Sequence, residues 1–270
     1  MPELPEVETV ARQLAPVLQG RRALGLRRLD PLLRVDAAPR LRGRTLEEVR
    51  RSGKQVVFRF STVERDSRPV WGVIHLRMTG RLIWVGAGER RPARHLRAML
   101  ALEGGRLLFY DARRFGTWGW HRSETGFAPA GVDPLDSRLD LNRFVALLGG
   151  SRQELKAWLL RQDRLVGLGN IYASEILHRA RLSPFRPAGS LSRGEAGDLL
   201  RATRRILRRA IDACGTTFSD FQDSRGLTGT YARYLTVYDR GGEPCRRCGS
   251  AVRRVVQHQR STYYCASCQA

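Results

Sequence analysis

Four cysteines near the C-terminus constrain this chain more than any other residues. Two residues lie between Cys245 and Cys248, Cys265 and Cys268 repeat that spacing, and sixteen residues separate the pairs. This arrangement matches a four-thiolate zinc site, in which two short knuckles close a tetrahedron around one ion. A pair of disulfides is the alternative, but it needs an oxidising compartment, and nothing in the chain points to export. Four protein ligands leave no position open for a substrate, so this zinc is structural. Between the knuckles, Arg253, Arg254, His258, Gln259 and Arg260 have the composition of a hairpin tip aimed at phosphates. The fifth cysteine, Cys214, reads as a buried helix residue.

Ahead of the knuckles the hydrophobic period changes once. Val7, Val10, Leu14 and Val17 or Leu18 recur at helical spacing, with Pro2 and Pro5 at the start and Gly20 at the stop. Residues 21–121 read as β: the runs 55–60, 70–76, 81–85, 96–102 and 106–110 are split by Gly, Pro or Asp clusters. Such runs predict an antiparallel sandwich or barrel. Residues 122–139, with Gly126, Pro129, Gly131 and Pro134, read as a linker. Helical patterns follow over 141–148, 152–163, 170–182 and 192–213. The expected organisation is an α+β chain with an N-terminal domain at 1–121, a linker at 122–139, a helical domain at 140–235 and a zinc finger at 236–270. A long loop at about 216–230 reads as functional. At the junction 161–170, Gly167, Gly169 and Asn170 bring backbone N–H groups to a helix start. That arrangement suits a phosphate, or simply close helix packing.

Lys+Arg is 48 against 26 for Asp+Glu, a net charge of +22 spread over the whole length. A folded surface for a polyanion, nucleic acid first, is the expectation. No run approaches the apolar length of a membrane span and no basic-then-apolar leader precedes the first helix, so a soluble cytoplasmic monomer is expected. Only Lys54 and Lys156 among the basic residues are lysines. An ammonium can give up a proton where a guanidinium effectively cannot, so each is either a residue with a specific task or a chance survivor.

A chain that opens Met-Pro loses its initiator methionine, which leaves the secondary amine of Pro2 free. An α-amino group has a pKa of roughly 7.7–8.0 and is partly uncharged at neutral pH. Such an amine can attack a sugar C1′ and form an iminium. Glu3 is a neighbouring proton donor, and Glu6 follows as a supporting carboxylate. The competing reading is that these residues only start the helix. His75-Leu-Arg-Met-Thr-Gly80 and Asp111-Ala-Arg-Arg-Phe-Gly116 each end a strand. Met78 and Phe115 suit wedges that unstack bases, and Arg113 and Arg114 suit an orphaned base or a phosphate. Core packing and a solvated rim are the alternatives.

Together these segments resemble the formamidopyrimidine-DNA glycosylase and endonuclease VIII family. The likeness is carried by PELPEVETV at the start, Lys54, HLRMTG, DARRFG, GLGNIYASEIL at 167–177, GTTFSD at 215–220, VYDRGGEPCRRCG at 237–249 and QRSTYYCASCQ at 259–269. The resemblance implies a β-sandwich with a leading helix, a helix-two-turns-helix domain and a zinc finger, with double-stranded DNA between the halves. It implies Pro2 as nucleophile, Glu3 as proton donor, Lys54 as acid for β-elimination and Arg260 for δ-elimination. His95 and Asn170 would contact phosphates, with Arg114 and Arg152 as further DNA-binding residues, and Arg113 would face the estranged cytosine. Lys156 falls near the family's lesion pocket, and the 216–230 stretch corresponds to its loop over an everted 8-oxoguanine.

Endonuclease VIII-type members, which take oxidised pyrimidines, open with glycine where this chain has Leu4, and lack the Arg113-Arg114-Phe115 wedge. The purine branch is therefore expected, acting on 8-oxoguanine opposite cytosine, on formamidopyrimidines and on abasic sites. A pyrimidine-directed enzyme and a non-catalytic zinc-ribbon DNA binder are the alternatives. Two departures stand out: Arg77 replaces the glycine of HLGMTG, and Arg161 replaces the aspartate of LLDQ.

Overall fold

The computed structural model describes residues 1–36, 39–64, 66–216 and 228–270. The chain divides into two units, one of residues 1–128 with 213–232, the other of 129–212 with 233–270. By packing, residues 213–232 go with the first unit. The Thr216 N–H donates to Glu6 Oε1 at 2.7 Å, and this bond ties the segment to the N-terminal unit.

In the first unit, helix α1 spans Leu4–Leu18. Its start is fixed chemically, because the Glu6 carboxylate accepts the Glu3 N–H at 2.8 Å, the return arm of a capping box. Val7, Val10, Leu14 and Leu18 are each at most 1% exposed. Burying them contributes about 1.5–3 kcal/mol apiece. The strands that follow are β1 (Ala23–Arg28), β2 (Arg34–Val35), β3 (Leu46–Ser52), β4 (Gln55–Phe60), β5 (Val70–His75), β6 (Gly80–Gly86), β7 (Leu96–Leu102), β8 (Gly105–Asp111) and β9 (Thr117–His121).

They form a four-stranded sheet of order β1-β7-β8-β6 and a five-stranded sheet of order β2-β9-β5-β4-β3. Every pairing within these sheets is antiparallel except β2 with β9. One core of Val56, Phe58, Ile74 and Trp118 from the larger sheet and Leu82, Leu100 and Phe109 from the smaller also takes in the apolar face of α1. The expected sandwich with its leading helix is present.

Register brings four connections to one end of both sheets. Gln55 pairs with His75 and His75 with Thr117, while Gly80 pairs with Asp111 and Leu96 with Tyr110. The β3–β4 turn, the β5–β6 turn, the start of β7 and the β8–β9 loop therefore emerge together.

The second unit carries α2 (Leu141–Leu148), α3 (Leu155–Leu159), α4 (Asn170–Ala180), α5 (Arg193–Asp212) and the hairpin β10 (Arg253–Gln257) and β11 (Arg260–Tyr264). α5 packs on α2 and α4, and α4 packs on β11. The helix expected over 152–163 is only five residues long. Beyond its end Arg161 N–H closes a turn on Trp158 O at 3.1 Å, and then Val132 N–H donates to Arg164 O at 2.9 Å and Val166 N–H to Val132 O at 3.0 Å in an extended pairing. Cys214 is likewise not a buried helix residue. It lies beyond the end of α5, half-buried, with φ at +58°. No helix of the described residues is long and apolar enough to cross a membrane.

Candidate functional site

Pro2 and Glu3 immediately precede α1, both buried, with Glu3 only 3% exposed. Glu6 is 1% exposed and divides its carboxylate between the Glu3 N–H and the Thr216 N–H. Glycine is required at two neighbouring positions. A Cβ on Gly215 would meet Glu6 Cγ at 2.8 Å, and one on Gly229 would meet Gly215 O at 2.3 Å. The loop expected at 216–230 thus has its base at paired Thr216 and Thr230. Residues 217–227 lie outside the described residues.

Lys54 sits half-buried in the two-residue β3–β4 turn. An ionic chain connects that turn to α1: Glu8 Oε2 accepts from Arg51 Nε at 2.8 Å, and Arg51 Nη1 donates to Gly53 O at 3.2 Å. Sequence reasoning passed over this pair, although a glutamate in the second turn of α1 and an arginine at a strand end were both legible.

Asp111 is the main residue that sequence reading missed. It is fully buried and accepts Gly116 N–H at 2.7 Å and Arg113 N–H at 3.2 Å, while the Thr79 hydroxyl also donates to it. The Thr79 oxygen in turn accepts Arg113 N–H at 3.1 Å. One carboxylate therefore welds the HLRMTG turn to the DARRFG loop. Its position as the first residue of DARRFG was the available signal.

Beside this weld, Met78 is 40% and Phe115 53% exposed, so neither fills the core. The Arg113 guanidinium lies 4.7 Å from the Phe115 ring centroid, in cation–π geometry. Arg114 is held by Asp30 at 2.7 Å, and Arg97 Nη1 reaches the same carboxylate oxygen at 2.7 Å. The guanidinium of Arg114 is thus anchored in an ion pair, whereas that of Arg113 rests on its ring contact. His95 is half-buried next to Arg97, and its carbonyl accepts Asp111 N–H at 2.9 Å.

The backbone here is strained: Arg77, His95 and Arg114 have φ of +53°, +66° and +59°. Left-handed φ costs a non-glycine residue about 1–2 kcal/mol, and such residues concentrate at functional sites. Arg77 therefore keeps the backbone that glycine would adopt. Its N–H donates to His75 Nδ1 at 3.0 Å, and Gly80 N–H closes on Leu76 O at 2.9 Å.

Burial, followed by the Arg77 and Lys54 cations, pushes His75 down to about 4. The imidazole is neutral at pH 7, and a proton-NMR titration is expected to show no His75 transition between pH 7 and 5. An unfolded histidine titrates near 6.5. Between those values the unfolded chain binds the extra proton, so stability is full above pH 6.5 and falls as the pH drops towards 4. His75→Asn should flatten that loss; an unchanged pH–stability curve would contradict the assignment.

In the second unit the finger hairpin is locked to the helices at one carbonyl. Ser261 O accepts from Lys156 Nζ at 2.9 Å and from Asn170 Nδ2 at 2.9 Å, and Lys156 Nζ also reaches Thr262 Oγ1 at 2.7 Å. Lys156 is 1% exposed, so it acts as an internal clamp. The same set holds Arg260, which precedes Ser261 and is exposed at the tip. His258 and Gln259 form a two-residue turn with φ of +48° and +61°, the primed geometry that suits a hairpin. Asn170 opens α4 as expected, and Arg152 is exposed just before α3.

The four cysteine sulfurs lie within 4.8 Å of one another. A tetrahedral zinc with Zn–S near 2.3 Å needs sulfurs about 3.8 Å apart, so small movements complete the site. The Arg247 N–H points at Cys245 Sγ at 3.4 Å, as in a metal-binding knuckle. Outside the ligands, His178 Nε2 contacts Cys245 Sγ at 3.4 Å. Thr236 Oγ1 bridges His178 Nδ1 at 2.9 Å to Glu175 Oε2 at 2.7 Å. Outer partners of this kind fix ligand orientation. Glu175 and His178, both on α4, were missed by sequence reading.

Three family matches cover most of the chain. Residues 1–118 match the formamidopyrimidine-DNA glycosylase N-terminal domain, 130–222 the formamidopyrimidine-DNA glycosylase H2TH domain, and 242–270 a zinc finger found in FPG and IleRS. A curated formamidopyrimidine-DNA glycosylase of Herpetosiphon aurantiacus is 39% identical, with all of both chains aligned. The crystal structure of the MutM (FPG) protein from Thermus thermophilus superposes with TM-score 0.87 at 40% identity, covering 99% of this chain and 98% of that one. Lactococcus lactis Fpg in complex with abasic-site DNA gives 0.85 at 28% identity, covering 99% of each chain.

Proposed function

The chain belongs to the formamidopyrimidine-DNA glycosylase family, and on that premise we propose that it is a base-excision-repair glycosylase and abasic-site lyase for oxidised purines. The substrates are 8-oxoguanine opposite cytosine and formamidopyrimidines in duplex DNA, and the reaction takes place in the cytoplasm. The observation that carries this reading is the pair of exposed apolar side chains, Met78 and Phe115, welded through Asp111 at the sheet end that also bears Lys54.

After removal of Met1, the Pro2 nitrogen attacks C1′ of the everted nucleotide. The glycosidic bond breaks, its electron pair leaves with the base, and Glu3 supplies the proton. Opening of the sugar gives an iminium joining Pro2 to C1′. Loss of a C2′ proton then expels the 3′ phosphate, with Lys54 as acid, and Arg260 assists departure of the 5′ phosphate in the second elimination. Met78 and Phe115 fill the vacated stack, and Arg113 meets the unpaired cytosine. His95, Arg152 and Asn170 bind phosphates. Arg114 contributes from its ion pair with Asp30, Glu6 supports the N-terminus, and Lys156 steadies the finger tip. Zinc held by Cys245, Cys248, Cys265 and Cys268 fixes the finger fold and takes no part in bond making.

Borohydride reduction in the presence of 8-oxoguanine duplex should yield a covalent complex through the N-terminal residue. Thymine-glycol duplex should give much less. Absence of a crosslink with any oxidised-purine duplex would remove the enzyme reading, and preference for thymine glycol would replace it with the pyrimidine-directed one.

A further inference from the structure

A cleft of about 530 Å³ opens in the second unit, lined by Arg179 and Arg181 at the end of α4, Arg201 and Arg205 on α5, and Arg247 in the first knuckle. Among the described residues, Asp198 is the only acid in its lining. It pairs with Arg201 at 2.6 Å, but the two side chains are 62% and 72% exposed, and such a surface pair contributes little. All five arginines are exposed. Arg247 donates to His178 O at 3.2 Å through one nitrogen, which leaves the rest of its fork available. Partial desolvation, and then the fields of Arg205, Arg247 and Arg209, lower the pKa of Arg179. The cluster thus has an excess of positive charge that its own lining does not neutralise.

The cleft is remote from the proposed repair contacts within this unit. α4 has 11 residues, about 16 Å at 1.5 Å each, with Asn170 at one end and Arg179 near the other. The knuckles and the Arg260 tip likewise sit at opposite ends of a hairpin whose strands are five residues long, again about 16 Å.

We propose that this cleft binds the phosphodiester backbone of a second nucleic-acid duplex. A strand fits better than a small anion because the charge is linear. Arg201 and Arg205 in the lining and Arg209 beyond it, whose guanidinium stacks on the Tyr234 ring at 4.0 Å, follow one another at intervals of about one turn along α5, a line of about 12 Å. One strand of a duplex places about three phosphates over that length. An enzyme with both surfaces can pass from one duplex to another without release into solution.

The test loads the full zinc-bound chain on a short immobilised undamaged duplex and then adds a fluorescent second duplex. Wild type should retain the second duplex. Arg179→Glu/Arg205→Glu should lose it while still holding the first and cleaving lesion duplex at the wild-type rate. Arg179→Gln/Arg205→Gln, which introduces no new charge, should behave alike, and losing two phosphate contacts should flatten the salt slope of capture by about 2 units. Equal capture by wild type and variants would overturn the proposal. So would tripolyphosphate binding without duplex capture, which would assign the cleft to small anions. Failure of wild type to hold even the first duplex would contradict the repair reading as well, whereas failure of capture alone contradicts only this one.

Discussion

Glu3→Gln is expected to slow release of an oxidised purine by about 10²–10⁴-fold, the usual range for loss of a positioned proton donor. That corresponds to about 3–5 kcal/mol of barrier. The departing base needs a proton and the amide cannot give one, while the amide keeps the volume of the carboxyl it replaces in a position only 3% exposed. A preformed abasic site has no base to release. There the Pro2 amine should still form its iminium, and borohydride trapping should remain within a few-fold of wild type. Single-turnover excision and trapping on the two substrates therefore separate the two roles. Equal loss on both would show that Glu3 only shapes the start of α1, and no loss on either would remove it from the chemistry.

Chelation of zinc is expected to weaken DNA binding about 10³-fold, towards the non-specific range, while the N-terminal sandwich stays folded. The finger's own core consists of Val237, Val252 and Tyr263 with two of the ligands, Cys245 and Cys265, too little apolar surface to hold it without the metal. Structural zinc supplies about 10–16 kcal/mol of apparent binding energy in isolated fingers. Damage should spread into the helices, because Lys156 would lose its acceptors at Ser261 and Thr262. Removing acceptors from a buried charge is costly, up to about 3–5 kcal/mol where a buried pair is broken. Hydrogen exchange should accordingly speed up in 237–270 and in α3, with amides of β4, β5 and β8 remaining protected. Unchanged affinity after chelation would show that the finger is not a DNA contact.

The parts of the fold legible in the sequence were those where one period dominates. The runs at 55–60 and 96–102 coincide with β4 and β7, and 141–148 with α2, because each is bounded by turn residues or a cap such as Asp140, which accepts from Arg143 N–H. β3 was not resolved as a strand, since Leu46 and Val49 are its only apolar residues and its exposed edge carries charge. The packing of the segment after α5 on the N-terminal unit depends on a long-range bond to Glu6 that no local pattern announces. At the site, the chemical groups were readable from their motifs, but the residues that hold them were not. Asp30, Asp111, Glu175 and His178 are ordinary polar letters until topology gives them partners.

The clamp at Lys156 also determines how the protein can be labelled. With that ammonium sealed inside, Lys54, half-buried in the β3–β4 turn, is the one of the chain's two lysines that acylating or methylating reagents can reach. Lysine-directed bioconjugation chemistry, which scatters tags over most proteins, would here concentrate on the turn to which β-elimination is assigned above, and the extent of modification would measure how well bound DNA shields it.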